Sequence, residues 1–220
     1  GPADFAALAE AGHGGVRLLL SDSTYVERPG HTPSERVISS TFERIFATAS
    51  GRVIVASFAS LIQRIQQVID AAEKTGRRVC VMGRSMTDNV QMAIELDYLR
   101  PPKEGFLRIE QLKSLPPEQI VICTTGSQGE PTSVLARMAN GEHRQVQVVE
   151  GDTVIISATP IPGNEHLVNR TIDNLYKRGA RVIHSGVDTV HVPGHAGQEE
   201  QKLMLNLTRP EFFVPIHGEY

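Results

Sequence analysis

The chain has 220 residues, 40% of them hydrophobic and 21% charged, with 22 basic against 25 acidic side chains for a net charge of −3. Folding at this size buries roughly 70% of the extended surface, so a core forms without disulfide staples, and the composition excludes wholesale disorder. The slightly acidic balance excludes nucleic-acid binding by overall basicity and leaves a local patch as the only electrostatic route.

No apolar stretch approaches the ~18 residues of a membrane span and nothing resembles a signal peptide, so a soluble, cytoplasmic protein is expected. Cys80 and Cys123 sit inside apolar runs and read as buried thiols. Gly1-Pro2 has the look of a tag-removal scar. The close at Pro215–Tyr220, just past the strand-like Phe212-Phe213-Val214, suggests an excised segment.

Along the chain, Val16–Leu20 reads as a strand followed by the polar loop Ser21–Thr24. Thr32-Pro33-Ser34-Glu35 combines an N-cap, a proline at the first helical position and a glutamate three residues on. It predicts a helix whose stripe is Val37, Ile38, Phe42, Ile45 and Phe46, closed by Gly51. Arg52–Ala56 is a buried strand, and a second helix carries Leu61, Ile62, Ile65, Val68, Ile69 and Ala72 up to Gly76. Val79–Met82 is the next strand, with a helix around Asp88–Leu96.

Residues 97–117 are irregular, punctuated by Pro101-Pro102 and Pro116-Pro117. Ile120–Thr124 resumes the sheet and Thr132–Ala139 is helical. Gln145–Val149 and Thr153–Ser157 flank a Glu-Gly-Asp turn, and Glu165–Lys177 forms a helix capped by Gly179. Arg181–His184 and Phe212–Val214 are strands separated by a helix near Gln198–Leu207. This alternation is that of an α/β protein: a mostly parallel sheet with helices on both faces.

In such sheets ligands gather beyond the carboxyl ends of the strands. Gly126–Pro131 follows a strand and precedes a helix, so its glycines either admit an anion to backbone N–H groups or simply make a turn. It lacks the Gly-Lys-Ser/Thr ending of a P-loop. Arg84, with Ser85 in Gly83–Met86, suits phosphate; Phe58, beside Ser57, either stacks on a base or packs in the core. Pro193-Gly194 keeps His191 and His195 off a helix and on a turn, where two imidazoles can bind metal or phosphate or transfer protons. His217 at a second strand end can converge on them, and Asp22 can orient a histidine. His-x-His-x-Asp-His, Cys-x-x-Cys and His-Glu-x-x-His are all missing, and a hydrolytic zinc needs at least three protein ligands.

Taken in order, Ser21–Thr24, Ser57–Ser60, Gly83–Met86, Thr125–Pro131, Pro160–Asn164, His195–Leu205 and Pro215–Tyr220 resemble the bacterial ribonuclease J family from Val16 onward. The resemblance implies a β-CASP domain at residues 22–180, inserted into a metallo-β-lactamase domain. Of that second domain this chain would carry a flanking segment at 1–21 and a return segment at 181–220. It further implies that Asp22 and His195 form a hydrogen-bonded pair beside the scissile phosphate and that His217 is a ligand of a di-metal centre, zinc or manganese.

Single-stranded RNA would be held by Ser57, Phe58, Arg84, Ser85, Ser127, Gln128, Gly129 and Glu130, and by the turn carrying His191, Gly194, Ala196 and Gly197. The family has serine where Pro193 stands, so backbone N–H groups are expected to replace a hydroxyl contact to phosphate. The parent enzyme would be a 5′-to-3′ exoribonuclease and endoribonuclease of rRNA processing and mRNA decay. It would be a homodimer or higher oligomer able to join RNA-decay complexes. With most ligands missing, this chain is expected to hold no tight catalytic metal and to be inactive. The alternatives are a stand-alone RNA-binding module and a doubly wound domain that binds a nucleotide or sugar phosphate. Leu18, Leu203 and Phe213 are expected to be exposed, favouring self-association.

Overall fold

The computed structural model describes residues 3–218. Gly1-Pro2, read as a scar, and Glu219-Tyr220, which end the last motif, lie outside the described residues. In chain order the elements are α1 (Phe5–His13), β1 (Leu18–Asp22), α2 (Arg36–Thr48), β2 (Val53–Ala56), α3 (Ile62–Lys74) and β3 (Arg78–Met82). There follow α4 (Arg84–Glu95), β4 (Ile120–Thr124), α5 (Val134–Asn140), β5 (Thr153–Ile156), α6 (Glu165–Lys177), β6 (Arg181–Ile183), α7 (Gln198–Thr208) and β7 (Phe212–Ile216). They fall into two compact units, residues 35–191 and residues 3–34 with 192–218.

The larger unit is built on a five-stranded sheet of order β3-β4-β2-β5-β6, every pair parallel. Its strands are apolar on both sides because helices cover both faces. Ile54, Ile122, Val154 and Val182 share one face with Leu135 and Met138 of α5 and Val168, Ile172 and Leu175 of α6. The alternate residues, among them Val53, Val55, Val121 and Ile155, are equally buried, as are Ile38, Phe42, Ile45 and Phe46 of α2 and Ile65, Val68, Ile69 and Ala72 of α3, whereas Val37 of the expected α2 stripe is exposed. Cys80 and Cys123 are free and buried, and burial pushes their thiols up to about 11 and about 12, so they stay protonated and inert. The irregular stretch covers the sheet edge: Leu107 N–H donates to Val79 O (2.8 Å) and forms an isolated bridge with Cys80.

A buried cation holds both ends of this unit. Arg64 of α3 is fully buried, and its guanidinium donates to Gln67 Oε1 (2.8 Å), Glu35 Oε2 (2.7 Å), Val190 O (2.8 Å) and the Ser157 hydroxyl. Gln67 in turn donates to Glu35 O, and Ser157 to Val190 O. Glu35 begins the unit and Val190 nearly ends it, so one side chain pins the chain's entry and exit.

Several local expectations change in the tertiary setting. Helix α2 starts at Arg36 with no side-chain cap, because the Glu35 carboxylate is engaged by Arg64 rather than by the helix start. Gly51 does not cap α2; a Cβ there would lie 2.5 Å from Gly151 O, so close backbone packing requires glycine. Helix α4 starts at Arg84, four residues before the expected Asp88, because Gly83 (φ +104°) turns the chain directly out of β3. Residues 145–149 stay outside the parallel sheet and only bury Val146 and Val148. Strand β6 pairs with β5, so the larger compact unit runs to residue 191.

In the smaller unit β1 and β7 form a two-stranded parallel sheet, and α1 packs on α7. Leu18 (48%), Phe213 (40%) and Leu203 (38%) are exposed, as expected from the sequence.

Removing the Arg64 guanidinium strands Glu35, Gln67 and two further acceptors. Arg64→Ala is expected to cost about 3–5 kcal/mol in urea denaturation. A loss within experimental error would show that this cluster does not hold the unit together.

Candidate functional site

The parallel register sets Asp22, last residue of β1, opposite Ile216 of β7, so that His217 emerges beside it. Ser23 ties the ends together, its N–H and hydroxyl both donating to Ile216 O (3.0 and 3.2 Å). His217 sits at φ +60°, a left-handed conformation that costs a non-glycine residue about 1–3 kcal/mol. The Thr24 hydroxyl meets His217 O there and also lies 2.7 Å from Asp22 Oδ1; with a single proton it serves one acceptor at a time.

His195 completes the group. Its Nδ1 lies 2.6 Å from Asp22 Oδ2, and its ring centroid is 5.0 Å from that of His217. One donor atom from each of Asp22, His195 and His217 falls within 4.8 Å of the others. Burial pushes the Asp22 carboxyl up, but the hydrogen bond from His195 and two from Thr24 outweigh it, bringing it down to about 2. Asp22 is therefore ionised at neutral pH and accepts from Nδ1–H, which leaves Nε2 of His195 as the working nitrogen.

The turn bearing His195 is held by residues the sequence reading missed. The Thr32 hydroxyl donates to His195 O (2.9 Å) rather than capping a helix. The Glu200 carboxylate accepts from Gly197 N–H (2.6 Å) and Thr32 N–H (3.1 Å), while Gln198 and Glu199 N–H groups donate to Arg28 O and Gly30 O. Gly197 N–H is thus committed internally, while Gly194 is exposed and Ala196 half-buried. Thr24 stood within a recognised motif, but nothing along the chain signals that Thr32 and Glu200 meet.

His191 belongs to the larger unit, not to this group. Its Nδ1 is buried without a hydrogen-bond partner among the described residues. Burial pushes its pKa down, the Arg64 guanidinium adds to the effect and Glu35 opposes it, so the ring is neutral at neutral pH and offers phosphate no charge.

The other expected binding residues follow the strands of the larger unit. Arg84 and Ser85 at the start of α4 are exposed, as is Glu130, and Phe58 is half-buried. Ser57, Ser127 and Gln128 are buried. Gln128 bridges two loops, donating to Thr159 O (3.1 Å) and accepting from Ile161 N–H (2.8 Å). A Cβ on Gly129 (φ +73°) would lie 2.4 Å from the Leu167 backbone. Gln128 and Gly129 therefore also serve packing between the loops, and the Ser127 side chain is buried.

Because Asp22 falls from 3.8 to about 2 on folding, its ionised form stabilises the folded state above the higher value, and the contribution disappears as pH drops towards the lower. Asp22→Asn should be less stable than the parent near neutral pH and converge with it over that acid window in denaturant titrations. A stability gap independent of pH would contradict this.

Comparison with known proteins gives the family. The family model "Ribonuclease J, beta-CASP domain" matches residues 50–175, and "Zn-dependent metallo-hydrolase RNA specificity domain" matches residues 179–220. Ribonuclease J of Thermus thermophilus is 52% identical over 97% of this chain, Ribonuclease J 1 of Streptococcus pyogenes 49% over 100%, and Ribonuclease J2 of Bacillus subtilis 46% over 99%. The chain spans 37–39% of the length of these relatives. It belongs to the ribonuclease J family.

Proposed function

We propose that this chain is the RNA-clamping part of a metal-dependent ribonuclease, with Asp22 and His195 acting beside the scissile phosphate and His217 holding a metal. The observation that carries the reading is the 2.6 Å Asp22–His195 contact with His217 adjoining it. Asp22 holds the His195 ring in one orientation. Nε2 then faces the phosphate, to offset developing charge or give a proton to the departing oxygen.

His217 offers an imidazole nitrogen, a ligand type that fits zinc better than manganese. When bound, the metal supplies Lewis-acid neutralisation of phosphate charge. With His195 engaged by Asp22, His217 is one ligand where a catalytic zinc needs three, so the chain by itself is proposed to cleave no RNA.

RNA as substrate is supported by the name Ribonuclease J that the relatives carry, and single-stranded RNA degraded 5′-to-3′ and cut internally by the full-length enzyme is the proposal that the family resemblance adds. Arg84, Ser85 and Phe58 are the groups of the larger unit left to meet a strand. A nucleotide or sugar-phosphate site at Gly126–Pro131 is the weaker reading, because Gln128 and Gly129 are taken up by packing.

Fluorescence anisotropy with a short single-stranded oligouridylate tests the clamp. Arg84→Ala should weaken binding and flatten the log-affinity against log-salt slope by about 0.7, and Phe58→Ala should cost about 1–3 kcal/mol. Binding that neither change weakens would sink the clamp. Robust metal-dependent cleavage of the oligonucleotide by this chain would refute the ligand count.

A further inference from the structure

Next to the Asp22–His195–His217 group, an aromatic and an arginine form a stack that no reading above uses. The edge of the Tyr25 ring meets His195, with centroids 5.2 Å apart and planes at 68°. The Arg28 guanidinium lies over the Tyr25 ring, 3.6 Å from its centroid. Arg17 is ion-paired with Glu211 and Arg52 with Asp152; Arg28 has no carboxylate partner among the described residues. A guanidinium spread on an aromatic face keeps its in-plane N–H donors free while the ring fixes its orientation.

The backbone makes this placement rigid. Arg28 N–H donates to Tyr25 O (3.0 Å), closing a turn, and Arg28 O accepts from Gln198 N–H (2.9 Å). Gly30 O accepts from Glu199 N–H (3.2 Å), and Thr32 binds His195 O. The loop carrying Arg28 and the turn carrying His195 are therefore fastened at several points. Electrostatics point the same way. The Asp22 carboxyl lies 2.6 Å from His195 and the Glu200 carboxyl stands behind the His195 turn, so a phosphodiester brought here lies beside two acidic side chains and is held better with a cation besides His195.

We propose that Arg28 is a phosphate-binding residue of this site, contacting an RNA phosphate near the one His195 faces, and that Tyr25 is a positioning residue holding both the guanidinium and the His195 ring. The inference rests on the RNA-clamping reading above.

The test uses the whole chain and the same oligouridylate over a salt series. Arg28→Ala should weaken binding severalfold and flatten the salt slope by about 0.7, as expected for one lost phosphate contact on a single strand. Arg28→Lys should keep the slope but bind less tightly, since lysine keeps the charge without the planar stack. Tyr25→Phe should behave like the parent. Tyr25→Leu should copy Arg28→Ala and also shift the His195 ring resonances in NMR spectra, a signature that loss of charge alone does not produce. Arg17→Ala, in the same unit and paired with Glu211, is the control for general charge loss. If Arg28→Ala matches Arg17→Ala while Arg84→Ala weakens binding, the clamp stands and this proposal is overturned. If the parent chain binds no RNA, both fall.

Discussion

The parallel pairing of β1 with β7 is the constraint on which the smaller unit depends. It joins residues nearly two hundred positions apart and sets Asp22 against Ile216, so the next residue, His217, reaches the carboxylate. In a strand, side chains alternate between faces, and a slip of one residue would turn Asp22 to the wrong side. The strained backbone of His217, held by Thr24 and Ser23, is affordable because this register over-determines it. His195 is then added by a loop-to-turn attachment through Thr32 and Glu200. Three short stretches of chain make the site, and each is fixed by hydrogen bonds rather than by burial.

The larger unit follows a different physical logic. A fully parallel sheet buried on both faces leaves function to its carboxyl edge, where loops from β2, β3, β4 and β5 emerge on one side. Part of that edge is spent on coherence, since Gln128 ties two of the loops together and Gly129 admits the backbone of α6. Exposed chemistry is left to Arg84, Ser85 and Glu130, with Phe58 half-exposed. Below the edge, Arg64 gathers Glu35 at the start of the unit and Val190 near its end in a buried polar cluster.

Some of this was readable from residue order and some was not. The apolar runs at 53–56 and 120–124 and the stripe of α3 announced strands and helix, because hydrophobic periodicity reports burial locally. Asp22, His195 and His217 were legible as a group through the motifs around them. Thr32-Pro33-Ser34-Glu35 misled, since a capping signal is worth about 1 kcal/mol and yields when a buried guanidinium claims the glutamate and a histidine carbonyl the threonine. The inter-loop hydrogen bonds of Gln128 were not legible for a related reason: a polar side chain in a glycine-containing loop looks the same along the chain whether it faces a ligand or ties two loops together.

Local patterning thus determined the class of fold, the succession of strands and helices and the residue types available for phosphate chemistry. These depend on interactions spanning a few residues. The neutral state of His191, the attachment of the His195 turn to Thr32 and Glu200, and the stacking of Arg28 on Tyr25 beside His195 were decided by the folded chain. Burial, hydrogen-bond competition and charge proximity act between groups brought together only when the strands have paired, and a linear order carries no record of those distances.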